Sequence, residues 1–351
     1  LFQHISMNIV AGQYVMGFDS GTSMTFANLA STAPSLIPNV PVSFQIQYMD
    51  AVLGDHTITI QAFTNLSDQS LPVPQDAIVY LVGGNDVVTG LTTNDLLVGG
   101  FGNDTLNGAS GNDILFGENS LINGPVTAGN DILNGNSGDD TLYGDARIMN
   151  NATGGADTLE GGEGNDLLYG DAVDMTNSNG GKDTLNGGED QDIIYGDALN
   201  MTNSNGGDDN INGGSGNDVI YGDVETLNNG SSAGKDTIDG ADNDDTIYGD
   251  AYNVLNSIAG SDDLRGGNGL DTIFGDALTL ANSIGGDDAI DGETDNDLIY
   301  GDAMNITNSQ SGNDNINGGT GDDVVYGDGL TLISNSLGGQ DTIDGGVGND
   351  T

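Results

Sequence analysis

The stretch GGEGNDLLY at residues 161–169 sets the architecture of this chain, because the sequence repeats it from residue 81 onward. Two further copies are GGSGNDVIY at 213–221 and GGVGNDT at 345–351. Each copy places three glycines ahead of an aspartate, and the longer copies continue with a short apolar run. Glycine gives the backbone the freedom that a tight turn needs, and a short apolar run between turns is typical of a strand. The sequence therefore predicts a stack of turns and short strands.

The pattern G-G-x-G-x-D-x-U-x, with U a large apolar residue, resembles the nonapeptide of RTX (repeats-in-toxin) proteins. About twenty copies occur, so the resemblance covers roughly three quarters of the chain. It implies an all-β fold: a right-handed parallel β-solenoid, or β-roll, with calcium-binding turns, preceded by a small β segment or cap. It also implies calcium as the cofactor, bound at many positions.

The charge of the chain agrees with many bound cations. It has 54 acidic residues against 4 basic ones, a formal net charge of −50, and only 35% hydrophobic residues. Such charge would oppose a compact state unless divalent ions belonged to it. Nucleic acid is excluded as a partner, because phosphate contacts need basic residues. The only ones are scattered: Arg147, Lys182, Lys235 and Arg265.

The calcium requirement of the turns also indicates where the protein is located. Turns of this kind need more calcium than the cytosol holds, so we expect a secreted, extracellular or cell-surface protein. There is no cysteine, and no run of 18 apolar residues predicts a membrane span. The chain begins at Leu1 and ends at Thr351 within a repeat, so we expect it to be part of a longer protein. The resemblance implies a C-terminal secretion signal beyond it.

Two regions differ in composition. Residues 1–80 hold both histidines and five of the six prolines, together with alternating stretches such as VSFQIQY at 42–48. Such alternation predicts strands. We expect residues 1–80 to be an N-terminal β segment, either a cap on the solenoid or the end of a preceding domain, and residues 81–351 to be the solenoid. A cap would cover strand edges that otherwise recruit other chains.

The aspartates of the repeats fall into sets with regular spacing. The first four are nine residues apart: Asp86, Asp95, Asp104 and Asp113. A later set recurs once in every longer unit: Asp140, Asp166, Asp192, Asp218, Asp245, Asp271, Asp297, Asp323 and Asp350. Another set lies nine residues before each of these: Asp131, Asp157, Asp183, Asp209, Asp236, Asp262, Asp288, Asp314 and Asp341. One unit is therefore about 26 residues, roughly eight more than two nonapeptides.

The extra residues carry a periodic pattern of their own. One position is always apolar: Met149, Met175, Met201, Leu227, Val254, Leu280, Ile306 and Leu332. A solvated loop would not keep such a column, so we predict that the insertion forms a third short strand and enlarges the coil. Two residues later an asparagine column is broken only by Ser334: Asn151, Asn177, Asn203, Asn229, Asn256, Asn282 and Asn308. It fits either a hydrogen-bonded ladder or a turn former at positive φ.

The predicted core is thin. Two more aliphatic columns, one including Leu168 and Ile194 and the other Leu159 and Leu185, bring the total to about three buried side chains per coil. At roughly 1.5–3 kcal/mol each, they do not offset the ordering of a coil at about 1–2 kcal/mol per residue. We therefore predict that folding depends on calcium.

The resemblance also implies how the ions are held. Each ion would lie between neighbouring turns and take a carboxylate from both, as Asp166 and Asp192 would supply, so every aspartate named above is a candidate ligand. A third set follows Tyr-Gly: Asp145, Asp171, Asp197, Asp223, Asp250, Asp276, Asp302 and Asp328. These could bind calcium or only close an Asx turn. Residues 171, 197, 223, 250, 276 and 302 are included among the candidate ligands.

Some positions fit the pattern less simply. The turns GADNDD at 240–245 and GETDND at 292–297 lack glycines, which makes ion binding there less secure. An aromatic column follows the inward aliphatic residue: Phe116, Tyr143, Tyr169, Tyr195, Tyr221, Tyr248, Phe274, Tyr300 and Tyr326. It is either an exposed interaction stripe or packed beneath the third strand, and packing is the favoured interpretation.

Catalytic patterns are weak. GSSAG at 230–234 fits the G-x-S-x-G nucleophile pattern, but it lies in a repeat and no histidine follows it. We expect no enzymatic activity. The leading hypothesis is an extracellular structural protein, a calcium-stiffened rod in a surface layer, fibre or matrix, which assembles with copies of itself through its unlike ends. Cell-surface polysaccharide is a second candidate partner. The alternatives are an adhesin stalk or ice-binding module, and the secretion and folding tail of a larger toxin or hydrolase.

Overall fold

A computed structural model describes residues 6–10, 13–17, 24–25, 44–47, 57–59, 77–81 and 83–351. Within these residues every regular element is a β-strand, and the strands stack into three sheets. Strands of successive coils pair in parallel, as in a solenoid. The predicted parallel β-solenoid is therefore confirmed.

One coil shows how the sequence produces the three sheets. After Asp157, the strand Thr158–Glu163 belongs to what we call the first sheet, and Leu167–Tyr169 belongs to the second. The inserted residues form Ala172–Thr176 in the third sheet, and the chain then turns back to Asp183. Glycines and aspartates mark the corners because neither continues a strand well.

The strands of each sheet follow in order of pairing. The first sheet contains Met24–Thr25, Thr57–Thr59, Val87–Thr89, Thr105–Ser110, Ile132–Ser137, Thr158–Glu163, Thr184–Glu189, Asn210–Ser215, Thr237–Asp242, Asp263–Asn268, Ala289–Thr294, Asn315–Asn317 and Thr342–Asp344. The second contains Ser6–Val10, Gln13–Gly17, Phe44–Gln47, Ala77–Tyr80, Leu96–Val98, Ile114–Phe116, Thr141–Tyr143, Leu167–Tyr169, Ile193–Tyr195, Val219–Tyr221, Thr246–Tyr248, Thr272–Phe274, Leu298–Tyr300 and Val324–Tyr326. The third contains Leu121–Asn123, Ile148–Asn150, Ala172–Thr176, Ala198–Thr202, Val224–Asn228, Ala251–Leu255, Ala277–Ala281, Ala303–Thr307 and Thr331–Ile333.

The strand register confirms the enlarged coil. Met175 is the Cα partner of Met149 on one side and of Met201 on the other. Met201 pairs in turn with Leu227. These residues are the column that predicted a third strand, and they stack one per coil on the interior.

The solenoid begins with smaller coils. Val87 pairs with Thr105, so the first described coil of the repeats is two nonapeptides long and contributes only to the first and second sheets. The third sheet starts at Leu121–Asn123. Before the repeats, Gln13–Gly17 and Phe44–Gln47 extend the second sheet in parallel, and Ser6–Val10 adds one antiparallel strand. The division of the chain at residue 80 stays a prediction.

Two apolar ladders form the core. Between the first and second sheets, aliphatic side chains from the two sheets interleave down the stack, as Leu159, Leu168 and Leu185 do. Behind the third sheet a separate ladder of alanine, methionine and aliphatic residues includes Ala172 and Met175. These five side chains are at most 1% exposed, which accounts for the apolar columns in the sequence.

The aromatic column is packed, as favoured. Successive rings stack face to face, with centroids 5.1 Å apart for Tyr169 and Tyr195 and planes 5° apart. Tyr248, Phe274 and Tyr300 are buried against third-sheet residues such as Leu278. Phe116, Tyr143, Tyr221 and Tyr326 are half-buried. Among the residues described, no helix has the length and hydropathy that crossing a bilayer requires.

The asparagine column forms the turn after the third sheet. Asn177 has φ 52° and Asn203 has φ 51°, so the turn interpretation is confirmed. A partial ladder accompanies it, because Asn203 Nδ2 donates to Asn177 Oδ1 at 2.6 Å. This ladder is exposed rather than internal. Beneath it runs a buried serine row, in which the backbone N–H of Ser178 donates to Ser204 Oγ at 3.1 Å.

Candidate metal centre

Three rows of acidic residues run down the interior, one at each corner of the coil. Row I precedes the first-sheet strands: Asp86, Asp104, Asp131, Asp157, Asp183, Asp209, Asp236, Asp262, Asp288, Asp314 and Asp341. Row II precedes the second-sheet strands: Asp95, Asp113, Asp140, Asp166, Asp192, Asp218, Asp245, Asp271, Asp297, Asp323 and Asp350. Row III precedes the third-sheet strands: Glu118, Asp145, Asp171, Asp197, Asp223, Asp250, Asp276, Asp302 and Asp328. Every predicted ligand lies on one of these rows.

The aspartates of rows I and II are joined coil to coil by one repeated hydrogen bond. The backbone N–H of Asp166 donates to Asp192 Oδ1 at 2.7 Å, and that of Asp157 donates to Asp183 Oδ1 at the same distance. The side chains are at most 3% exposed as far as Asp323. In the last coil Asp341 is half-buried and Asp350 is exposed.

In most of these carboxylates the second oxygen is buried without a hydrogen-bond donor. Such buried oxygens occur in row I (Asp104, Asp131, Asp157, Asp183, Asp209, Asp236, Asp262, Asp288 and Asp314), in row II (Asp140, Asp166, Asp192, Asp218, Asp245, Asp271, Asp297 and Asp323) and in row III (Glu118, Asp145, Asp197, Asp223, Asp250, Asp276 and Asp302). A buried charged oxygen without a partner is costly. Repeated in every coil, it indicates that the native state includes cations.

Glycines make room for these oxygens. At row II, Asp166 Oδ2 and the carbonyl oxygen of Gly187 both approach the α-carbon of Gly161 so closely that a Cβ atom there would clash. At row I, Asp183 Oδ2 and the Gly196 carbonyl converge on Gly170 in the same way. A carboxylate oxygen and a carbonyl oxygen thus face the same small space in each coil. These are the ligand types that calcium prefers.

The inserted residues that form the third sheet branch from the two-sheet coil at the row I corner. In the smaller coils, Gly99 lies against Asp104 Oδ2 and the Gly117 carbonyl. Gly170 makes the equivalent contacts with Asp183, although eight more residues separate the pair. The insertion is therefore a lobe whose two ends lie at the same corner of the coil. The contacts at that corner are the same with and without the lobe. We call this the neck corner, and the row II corner the plain corner.

The row III carboxylates join the two ends of the lobe at the neck corner. The backbone N–H of Gly181 donates to Asp171 Oδ2 at 3.1 Å, and that of Gly207 donates to Asp197 Oδ1 at 3.0 Å. These bonds join residues ten positions apart, at the two ends of the insertion, so they are not the local Asx turn that was one of the two predicted roles. Asp171 and Asp197 are fully buried. The sequence patterns did not predict one member, Glu118, whose Oε1 accepts from Gly129 N–H at 2.7 Å. Its position after Phe-Gly, equivalent to Tyr-Gly, was the available signal.

Rows I and III meet inside the neck corner. Carboxylate oxygens of Asp131, Asp145 and Asp157 all lie within 4.8 Å of one another, and all three side chains are buried. Asp131 and Asp157 belong to successive coils of row I, while Asp145 is the row III residue between them. The sequence did not predict this meeting, because Asp145 and Asp157 are separated by the whole lobe.

Burial without a counter-charge raises the pKa of these acids. Loss of hydration raises the pKa of Asp131 to about 9, with nearby Asp157 adding to the effect. Deeper in the neck corner, burial raises the pKa of Asp183 well above its usual range. In row II burial raises the pKa of Asp192 to about 8 and that of Asp218 to about 6. Carboxylates of this kind favour either a bound cation or a proton.

The turns with few glycines keep the same geometry. Ala241 and Glu293 occupy positive φ angles of 77° and 69°, where neighbouring coils have glycine. Asp245 still accepts from the Asp218 N–H at 2.9 Å, and Asp297 from the Asp271 N–H at 3.0 Å. Both carboxylates therefore stay in row II. Whether ions bind less tightly there stays a prediction.

The serine pattern at 230–234 has a structural environment. Ser232 Oγ donates to Asn205 Oδ1 at 3.0 Å, and Ser231 Oγ donates to the Asn228 carbonyl at 2.7 Å. Both histidines of the chain, His4 and His56, lie outside the described residues. Nothing in these contacts favours a nucleophile.

These buried rows of oxygen ligands in glycine-rich turns define a class of protein, the calcium-binding parallel β-rolls. Comparison with known families agrees. The model of the RTX calcium-binding nonapeptide repeat matches residues 80–117, 126–146, 151–172, 177–200, 203–224, 231–251, 258–277, 284–303, 309–329 and 336–351, more than half of the chain. The chain belongs to this family, whose repeats bind calcium. A search of curated proteins found no match.

Proposed function

We propose that this chain is a non-enzymatic extracellular structural protein: a rod stiffened by calcium that forms part of a surface layer, fibre or matrix. The observation that carries the proposal is the repetition of buried carboxylate oxygens without donors in nearly every coil. Groups that serve one reaction gather at one place, whereas these are spread evenly along the stack. Proteins with such repeats are typically secreted, which supports an extracellular location.

Stiffness would come from the way the ions join coils. A cation held by Asp166 and Asp192 links two successive turns, and the next ion links Asp192 to Asp218. Each coil is then tied to both neighbours at two corners, in addition to the strand ladders. Without the ions, like charges one coil apart would repel through a medium of low dielectric constant. Calcium would thus convert a self-repelling chain into a continuous solid stack.

The first test is removal of calcium. In excess chelator, far-ultraviolet circular dichroism should show a largely unordered chain, and the β signal should return when calcium is restored. Magnesium at the same concentration is the control, because it is smaller and demands near-ideal octahedral geometry. An unchanged spectrum and Tm in chelator would contradict the proposal.

The second test concerns assembly with copies of the chain. Bound calcium would cancel much of the net charge of −50 and allow like chains to approach. Light scattering of the full-length protein in millimolar calcium should therefore show association that rises with protein concentration and reverses in chelator. A monodisperse monomer at every concentration would rule assembly out and leave the calcium-dependent fold intact.

A further inference from the structure

We propose that the row III carboxylates are additional ligands of the row I ions, so that the neck corner holds a tighter class of calcium site than the plain corner. The family pattern does not assign this role, because the nonapeptide supplies one aspartate per turn and row III lies outside it. The inference rests on the calcium binding of the proposed rod, and it concerns how the ions differ from one another.

The geometry of the neck provides the first reason. Asp145 brings its carboxylate into the same small space as Asp131 and Asp157, with ligand atoms within 4.8 Å of each other. Asp145 is fully buried, and its Oδ1 has no hydrogen-bond donor. Asp131 and Asp157 each contribute another oxygen without a donor. Three carboxylates from three turns therefore face one another. No basic side chain belongs to this group, so their negative charges are not balanced within it.

Among the described residues this is the one place where three carboxylates meet so closely, but further down the stack successive row III carboxylates also approach one another. Asp171 and Asp197, from successive coils of row III, both approach the α-carbon of Gly180, and Asp197 and Asp223 both approach Gly206. Glu118 places a longer side chain in the first neck, where its Oε2 has no donor. A carboxylate is thus retained at this corner even where the residue type changes. At Asp145 the bond that closes the lobe uses only Oδ2, which accepts from the Gly155 N–H at 3.2 Å, and Oδ1 is left without a donor.

Charge balance favours a shared ligand over a separate row of ions. Each large coil as far as Asp302 buries three carboxylates, one from each row. One calcium ion at each of the two nonapeptide corners would bring four positive charges against these three negative ones. A third ion would leave a large excess of buried positive charge, whereas row III as a ligand offsets the existing excess at the neck corner.

The two corners should consequently differ in affinity. A plain-corner ion receives carboxylates from row II alone, while a neck-corner ion receives them from rows I and III. Calcium affinity rises with the number of charged ligands in a site. Titration of calcium-free protein should therefore fill the neck corner first, and the plain corner at roughly tenfold or more higher calcium.

The test compares matched variants of the full chain. Asp223→Asn at row III keeps the shape and an oxygen for the Gly234 N–H but removes the charge, while Asp223→Glu keeps the charge and copies Glu118. Asp218→Asn, five residues earlier in row II, is the control at the plain corner. Calcium binding by isothermal titration and ion counting by plasma mass spectrometry report affinity and stoichiometry separately.

We expect two classes of site in the unmodified chain. Asp223→Asn should weaken one or two ions of the tight class without changing the total, Asp223→Glu should restore them, and Asp218→Asn should affect only the weak class. A single uniform class, or an isotherm unaltered by Asp223→Asn, would overturn the inference while leaving calcium-dependent folding in place. Loss of whole ions in Asp223→Asn with the rest unchanged would overturn it also, because row III would then hold ions of its own. Absence of calcium binding altogether would instead defeat the proposed function.

Discussion

The plain corner and the neck corner begin from the same nonapeptide turn and end as different environments. At the plain corner a single row of aspartates lies between two sheets, and burial raises their pKa to values from about 6 at Asp140 to about 8 at Asp192. At the neck corner a second row faces the first, and burial raises the pKa of Asp171 well above its usual range. The difference shows that an insertion of eight residues can alter the chemistry of a site while leaving its backbone contacts in place.

The largest expected effect is that of pH on the calcium-free chain. Burial raises the pKa of Asp192 and Asp245 from 3.8 to about 8, so the folded form binds protons that the unfolded form releases. Proton uptake then stabilises the folded state fully below pH 4, and this contribution is lost as pH rises toward 8. Dialysed protein should show β signal in circular dichroism at pH 4 and little at pH 8.

Calcium reverses this dependence, because protons compete with the ion for the same oxygens. With calcium present, the midpoint of its binding should move to higher concentration as pH falls from 8 to 5. Sedimentation at each pH controls for precipitation near the pI of about 4.1. A calcium-free chain equally unordered at pH 4 and pH 8 would show that the buried carboxylates do not govern folding.

A smaller effect should separate the glycines of the two corners. In Gly170→Ala the new Cβ would meet the Gly196 carbonyl, which the backbone fixes, as well as Asp183 Oδ2. In Gly161→Ala the new Cβ would meet Asp166 Oδ2 and the Gly187 carbonyl, but neither approaches as closely as the Gly196 carbonyl does in Gly170→Ala. We expect both variants to lose stability in saturating calcium, within the range of about 1–3 kcal/mol for overpacking, with the larger loss at Gly170.

The measurement for this pair is the Tm in calcium, and Gly230→Ala is the control. Gly230 has φ 85°, and a Cβ at this position would have no heavy atom within 4 Å, so its substitution reports backbone strain without a clash. If Gly170→Ala cost no more than this control, the neck corner would be looser than its contacts indicate. Equal losses at Gly170 and Gly161 would mean that both corners resist a methyl group alike.

Much of this fold could be predicted because each coil repeats the last. The regular spacing of the aspartates predicted the stack, and the column through Met175 and Met201 predicted the third sheet. A column records what one position faces in every coil. It does not record which positions meet across the coil, so the approach of Asp145 to Asp157 was not predicted. The two residues meet because the two ends of the lobe lie together at the neck corner. No repeated pattern in the sequence records that approach.

Glu118 and the serine row were missed for related reasons. Glu118 is chemically equivalent to the row III aspartates but differs in residue type, so a search by identity passes over it. Ser178 and Ser204 stand in a column beside the asparagines, and only the structure shows that their hydroxyl groups are buried and accept backbone N–H groups. Whether a polar side chain bonds to the backbone of the next coil depends on how deeply it is buried. A column of polar residues in the sequence does not reveal this burial.

The smallest expected effect tests how much irregularity the plain corner tolerates. Ala241 has φ 77° in a turn where its partners Gly214 and Gly267 are glycine. Alanine is strained at a positive φ, so Ala241→Gly should relieve this strain. Glycine also raises the conformational entropy of the unfolded chain, which offsets part of the gain in stability. We expect a net stabilisation of about 0.5–1 kcal/mol in saturating calcium, seen as a small rise in Tm.

The matched reverse change is Gly214→Ala, at the same turn position one coil earlier. It should lower the Tm, because it adds strain at φ 106° and places a Cβ against the Gly188 carbonyl. Calcium titration of both variants separates two consequences. If Ala241→Gly raises the Tm alone, turn strain affects folding and not the ion, since Asp245 already occupies its place in row II. If the weak class of ions also tightens, glycine content sets the affinity of the plain corner, and the turns at 240–245 and 292–297 are its weakest sites. A lower Tm in Ala241→Gly would contradict the strain argument at its root.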